Sequence, residues 1–316
     1  MSPYRFCRSA CLWAAFTSLL LASCQPRFQP TRDFLAEKTG PYDLFAQQRA
    51  YPDSVFDWDA WREALRQARQ REAVVAERGG CNGGSPSAWT LQGPANVAGR
   101  VNCLAVKPDN EDVVLAGFAS GGIFKSSDGG GTWKPVFEDN LELSIGDIVF
   151  DPQHPDVVYA GTGDVNMPSQ LFNGHGLYKS SDAGETWQYL GLGEQGIISH
   201  VVVHPTNSQT LYAAVNGNPY VRNDKRGVYK STNGGQTWQR VHFVSDQAGA
   251  SDLVMNPQQP DVLYASYWDR IRSNTESTVY GPNSKVFKTT DGGATWTKLG
   301  GGLPTAPSLS CAGTCC

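Results

Sequence analysis

Ser180-Ser181-Asp182-Ala183-Gly184-Glu185-Thr186-Trp187 is one of four copies of a single octet. The others are Ser126-Ser127-Asp128-Gly129-Gly130-Gly131-Thr132-Trp133, Ser231-Thr232-Asn233-Gly234-Gly235-Gln236-Thr237-Trp238 and Thr289-Thr290-Asp291-Gly292-Gly293-Ala294-Thr295-Trp296. Their first residues, at positions 126, 180, 231 and 289, stand 54, 51 and 58 apart. A fixed period of this size marks a repeat architecture in which every unit is one supersecondary block. Within the octet a carboxylate or amide oxygen can accept N–H groups of its own tight turn, and the glycines supply the positive φ that the turn demands. Asn233 keeps the acceptor but would abolish acid–base chemistry. Asp128, Asp182, Asn233 and Asp291 therefore read as turn residues, and Trp133, Trp187, Trp238 and Trp296 as packing residues that fold back between units.

A second motif precedes each octet. Asp151-Pro152-Gln153-His154-Pro155-Asp156-Val157-Val158-Tyr159-Ala160 matches Asn256-Pro257-Gln258-Gln259-Pro260-Asp261-Val262-Leu263-Tyr264-Ala265, with looser copies at 107–116 and 204–213. Each unit thus reads strand, proline turn, strand, variable loop, strand, octet turn, strand. In the second unit the strands are predicted at 145–150, 157–161, 176–180 and 186–190. Four antiparallel strands per unit make a propeller blade. The fold class is all-β: a β-propeller with four recognisable blades between 88 and 304. Composition agrees, since 34 glycines, 19 prolines and 9 tryptophans against 18% charged residues suit many short strands joined by tight turns.

The formal net charge is −4, with no run of lysine or arginine to neutralise phosphates, which argues against nucleic acid as a partner. At the N-terminus Arg5 and Arg8 precede an apolar stretch from Leu12 to Ala22, too short to span a bilayer and suited to a signal peptide. It ends in Leu21-Ala22-Ser23-Cys24, which resembles the bacterial lipobox. That resemblance implies a leader over 1–23, a lipidated Cys24, and an exported protein anchored to the cell envelope at the outer membrane, the membrane being a partner through the lipid. Residues 24–56 read as a polar tether. Over 57–80, Trp58, Trp61, Leu65 and Ala68 fall at helical spacing behind Asp57 and ahead of Gly79-Gly80, which predicts one amphipathic helix. Apart from the leader and Cys24, Cys81, Cys103, Cys311, Cys315 and Cys316 remain, an odd count that supports no disulfide framework, and no ligand spacing marks a metal site. No cofactor is expected.

The octets resemble the BNR or Asp-box repeats of sialidases, xyloglucanases and sortilin-type propellers, over about 89–302. The stretch at 42–49, the tryptophan helix and Trp89-Thr90-Leu91-Gln92-Gly93-Pro94 also resemble the start of secreted sortilin-like proteins of Bacteroidetes-type bacteria. The resemblance implies a propeller fold and leaves function open, because Asp-boxes occur in enzymes and receptors alike. Sialidases carry an Arg-Ile-Pro motif that is absent here. Xyloglucanases carry a first-blade aspartate before a Gly-Gly pair, where this chain has Phe118-Ala119-Ser120-Gly121-Gly122. Such propellers have six or more blades, and 305–316 lacks a strand pattern and reads as a tail, so the expectation is part of a larger, truncated propeller.

Topology locates the surface on which function can sit. Octet turns and proline turns share one face, so the long loops at 164–175, 216–226 and 267–284 share the other. Aromatics among charges on loops of varied length suit a binding surface. His175, Tyr220, Arg222, Arg226, Trp268, Arg270 and Arg272 are the candidate contacts for a glycan or envelope protein, with Trp268 and Tyr220 stacking and the arginines taking carboxylates. The alternative is glycoside hydrolysis of the sialidase or xyloglucanase type. It needs two carboxylates about 5–10 Å apart, for which Asp164, Asp224 and Asp269 are the candidates.

Overall fold

The computed structural model describes residues 60, 63–68, 70–71, 99–140, 142–166, 174–272 and 276–303. The leader, Cys24, the tether, Trp58, Trp61 and the tail lie outside them. The described residues at 60, 63–68 and 70–71 are helical, with Leu65 half-buried and Ala68 exposed.

From 101 onward the chain is a succession of four-stranded antiparallel meanders. The first holds β1 (Val101–Lys107), β2 (Asn110–Phe118), β3 (Ile123–Ser126) and β4 (Lys134–Pro135). The second holds β5 (Ile145–Phe150), β6 (Val158–Thr162), β7 (Leu177–Ser180) and β8 (Gln188–Gly191). The third is β9 (Ile197–Val203), β10 (Leu211–Gly217), β11 (Gly227–Ser231) and β12 (Gln239–His242). In the fourth, β13 (Ala248–Met255) and β14 (Leu263–Asp269) are followed by a small hairpin, β15 (Ile271–Arg272) with β16 (Ser277–Thr278). The sheet then resumes with β17 (Val286–Thr289) and β18 (Thr297–Lys298). First strands of successive blades lie side by side, β1 on β5, β5 on β9 and β9 on β13, so the sheets radiate from a common line. This is the arrangement of consecutive propeller blades.

In the second blade the first strand is observed where it is predicted, and the other three differ by one or two residues, two of them for local reasons. Val157 donates its N–H to His154 O at 2.8 Å inside the proline turn, so β6 starts one residue later. Thr186 N is bound by the Asp182 carboxylate at 2.9 Å, which holds it in the octet turn and delays β8.

The octet turns are built alike. In the first, Asp128 accepts from Ser126 Oγ, Thr132 N and Thr132 Oγ1 at 2.7, 2.8 and 2.7 Å, while Gly129 and Gly130 take φ of 67° and 94°. In the third, Asn233 Oδ1 accepts from Ser231 Oγ and Thr237 N, both at 2.9 Å, and its amide donates to Thr237 Oγ1 at 2.8 Å. Each octet turn also donates a backbone N–H to its blade's own proline turn, as Gly292 N does to Asp261 O at 3.0 Å. The two kinds of turn therefore share one face.

The core lies between blades. Trp187 packs with Leu115, Phe137 and Tyr178 at the first contact, Trp238 with Tyr159 and Leu211 at the second, and Trp296 with Tyr212 and Leu263 at the third. β6 and β10, covered on both sides, are buried at every residue. Close approach of blades requires glycine at Gly146, where a Cβ would stand 2.4 Å from Ile198 O.

Candidate functional site

The loops opposite the octet turns carry the sequence-derived candidates, and the structure sorts them by what already holds them. Asp164 follows β6 and is buried. It pairs with the Arg100 guanidinium and accepts from Asn166 N at 2.8 Å, which ties the loop after β6 to the start of the first blade. Asp269 ends β14, is also buried, and accepts from Asn283 N at 2.7 Å and Asn283 Nδ2 at 3.2 Å. Asp224 is exposed, and its main-chain carbonyl accepts from Arg240. Two of the three carboxylates thus organise loops in this conformation.

The basic residues divide in the same way. Arg226 is fully buried and donates to the carbonyls of Asn216, Asn218 and Val221 at 2.9, 2.7 and 3.3 Å, and burial pulls its guanidinium down to about 10. Arg222 makes a two-pronged bond to Glu276, both contacts at 2.7 Å, and reaches Gln247 at 3.2 Å, so it joins the third-blade loop to the fourth-blade hairpin. Arg270 lies 3.9 Å over the ring of Trp268, whose indole N–H donates to Val279 O at 2.7 Å. Burial and neighbouring Arg272 lower the Arg270 guanidinium to about 10. Arg272 is exposed and fixed through its main chain, N donating to Pro219 O at 2.7 Å. Tyr220 is half-buried and its hydroxyl, pushed up in pKa by burial, is without a partner among the described residues. His175 belongs to the second blade instead, 3.4 Å from Tyr178 OH and against the Tyr189 ring.

Asp164, Tyr220, Trp268, Arg270 and Arg272 therefore sit in one neighbourhood, drawn from three blades. A buried arginine stacked on an indole can orient a neutral or anionic polar group while the indole offers an apolar plane.

A second constellation escaped the sequence reading. At one register level of the four innermost strands stand Cys103, Asp147, His200 and Asp252, paired with Gly117, Gly161, Ala214 and Ser266 on the second strands. His200 Nδ1 lies 3.3 Å from Asp147 Oδ2 and 3.8 Å from Asp252 Oδ1. Asp147 also accepts from Val201 N of the next blade at 2.8 Å, so it joins blades as well as carrying charge. The Cys103 thiol is pushed up in pKa by burial and by the Asp147 carboxylate, which disfavours its thiolate form. His200 opens on a groove of about 260 Å³ lined by Val149, Val202, Pro205, Leu253 and Pro257. The signal was present in the sequence: each of the four residues stands five before the proline of its turn, at Pro108, Pro152, Pro205 and Pro257. Strand alternation hid it, because each inner strand carries an irregularity in its pairing that breaks the parity. Among the described residues no group of three or more acidic, histidine or cysteine side chains is placed to hold a metal ion.

Comparison with known proteins agrees with this architecture. The sortilin-Vps10 family model, described as sortilin, neurotensin receptor 3, matches residues 175–305. The chain is 25% identical over 227 residues to a xyloglucanase of Acetivibrio thermocellus, covering 62% of this chain and 25% of that protein. It is 32% identical over 157 residues to an oligoxyloglucan-reducing end-specific xyloglucanase of Emericella nidulans, covering 45% and 18%. Among solved structures, an ancestral GH74 enzyme superposes with a TM-score of 0.53 at 26% identity, over 66% of this chain and 27% of that one. The chain spans about a quarter of the length of the xyloglucanase it matches. The described residues between 99 and 303 are consecutive blades of an Asp-box β-propeller, similar to sortilin-Vps10 proteins and to the propellers of xyloglucanases.

Proposed function

We propose that the loop face binds a glycan, with xyloglucan-type β-glucans as the first class to try, and does so without cleaving it. In this reading the propeller is displayed outside the cytoplasm through lipidated Cys24. The observation that carries it is that Asp164 and Asp269 are buried and already spent on Arg100 and on Asn283, while Trp268 with Arg270 remains as an aromatic and cationic platform beside them. Likeness to xyloglucanases supplies the ligand class.

Affinity electrophoresis of the purified chain through gels cast with xyloglucan tests this, with reducing ends measured in parallel. Retardation without release of reducing ends is expected, and Trp268→Ala should weaken it about tenfold, equivalent to about 1.4 kcal/mol. No retardation would end the binding reading. The likeness to xyloglucanases also favours a second reading, glycoside hydrolysis. Release of reducing ends that disappears in Asp224→Asn would establish that one instead.

A further inference from the structure

Six arginines stand between 99 and 303, at positions 100, 222, 226, 240, 270 and 272. Four are spent on acceptors within the molecule. Arg100 pairs with Asp164, Arg222 with Glu276, Arg226 with the carbonyls of Asn216, Asn218 and Val221, and Arg240 with Asp224 O. The guanidinium groups of Arg270 and Arg272 are not so held among the described residues. For Arg272 this is ordinary, because it is exposed to water. For Arg270 it is not. That residue is only 5% exposed, and its Nε is buried with no acceptor. A charge taken out of water is normally paired and hydrogen-bonded. Stacking on Trp268, at 3.9 Å, offsets part of the cost but leaves unused every N–H of the fork, all of which lie in the plane of the guanidinium.

One backbone bond gathers further donors around it. Arg272 N donates to Pro219 O at 2.7 Å, which brings Tyr220, the next residue of the third-blade loop, against the segment that carries Arg270. Tyr220 N donates to Asn218 Oδ1 at 2.9 Å, which fixes the loop at that point. The Tyr220 hydroxyl is buried, has no partner among the described residues, and feels the charge of both arginines. The Trp268 indole is anchored by its own N–H on Val279 O at 2.7 Å, so the plane beneath Arg270 is held in place. Asp164 is the carboxylate whose charge reaches Arg270, and it is already paired with Arg100. Two cations and one phenolic donor therefore meet with no anion of the protein's own between them.

We infer that Arg270, with Tyr220 and Arg272, seats a carboxylate of the ligand, so that the glycan held by the loop face bears an acidic sugar, a uronate. A planar fork meets a planar carboxylate through two parallel charge-assisted bonds, and the remaining lone pairs of the carboxylate are left for the phenol and for Arg272. The exposed Arg272 and the half-buried Trp268 give the seat its opening to solvent. This inference rests on the glycan reading and narrows it, by adding a charged sugar to the chain that lies on Trp268.

Calorimetric titration of the full chain with a short β-glucan oligosaccharide, and with the same oligosaccharide oxidised at one C6 to a uronate, tests it. The uronate form should bind about tenfold tighter, as a charge-assisted pair predicts, and its methyl ester no better than the neutral form. The net charge of −4 opposes an anionic ligand in general, so such a gain has to come from the local site. Arg270→Gln should erase the gain. Tyr220→Phe with Arg272→Gln, which removes a hydroxyl and an exposed charge, should erase most of it, and decides the matter if circular dichroism shows that Arg270→Gln does not fold. Equal binding of the uronate and neutral forms would overturn the inference and leave the glycan reading standing. Binding of neither would end that reading and this one with it. A gain that survives in the folded variants would place the anion elsewhere and overturn the inference as well.

Discussion

His242 shows how one side chain can set the acid limit of an inter-blade contact. It ends the third blade stacked on Trp296 of the fourth, with centroids 5.0 Å apart, beside Tyr267 and Phe287, and its Nδ1 lies 2.8 Å from Tyr267 OH. Burial lowers its pKa from 6.5 to about 4. Between those values the unfolded chain binds a proton that the folded one refuses, so stability is full above about pH 6.5, declines as pH falls toward 4, and then levels with respect to this residue. Urea denaturation across that window should show the decline in the parent chain and its absence in His242→Phe, in which Tyr267 OH keeps the main-chain carbonyl of residue 242 as acceptor. A parent chain equally stable at pH 7 and pH 4.5 would contradict this. At this scale the octets were readable from sequence, because each aspartate satisfies its own turn and needs no distant partner. The burial of Arg226 was not readable, since it depends on three carbonyls that the folded loop brings around the guanidinium.

At the scale of strands and turns, the distance between innermost strands is set by what they lack. A Cβ on Gly146 would stand 2.4 Å from Ile198 O and 2.6 Å from Gly163 O, and one on Gly249 would stand 2.1 Å from Asn216 O. These obstacles are main chain and cannot rotate away. Gly146→Ala should therefore force β5 and β9 apart and cost about 1–3 kcal/mol. Gly300→Ala, with nothing within 4 Å of the added methyl, should be near neutral. Denaturation midpoints of the two variants check this, and equal midpoints would mean that the blades are not held so close. The sequence located every strand of the second blade within two residues, because turn chemistry bounds both ends of each. It could not show which glycines face a neighbouring blade, nor that Cys103, Asp147, His200 and Asp252 share one level, because pairing irregularities in the inner strands shift alternation without any mark in composition. Connectivity alone assigns the candidate loops to the face opposite the octet turns. Their internal bonds, such as Arg222 to Glu276 across the fourth-blade hairpin, arise only once the blades are side by side.

Across the whole propeller the same tryptophan occupies four positions whose energetic worth depends on whether a blade lies in front of it. Trp187 packs edge-on against Phe137, with centroids 5.4 Å apart, inside the first inter-blade core, whereas Trp133 holds the equivalent place on the open face of the first blade. Truncation of a buried aromatic removes transfer energy and leaves a cavity the surroundings refill only partly, a cost of about 3–5 kcal/mol. An indole that is largely solvated already has much less to lose. Its N–H bond to Gly130 O at 3.1 Å is local to the turn and is replaced by water. Trp187→Ala should therefore lower stability by about 3 kcal/mol, and Trp133→Ala, 42% exposed at the start, by well under half as much. Urea titrations of the two variants beside the parent chain measure both costs. Equal costs would mean that the indole of Trp133 is packed as fully as that of Trp187, against the exposure difference on which the prediction rests.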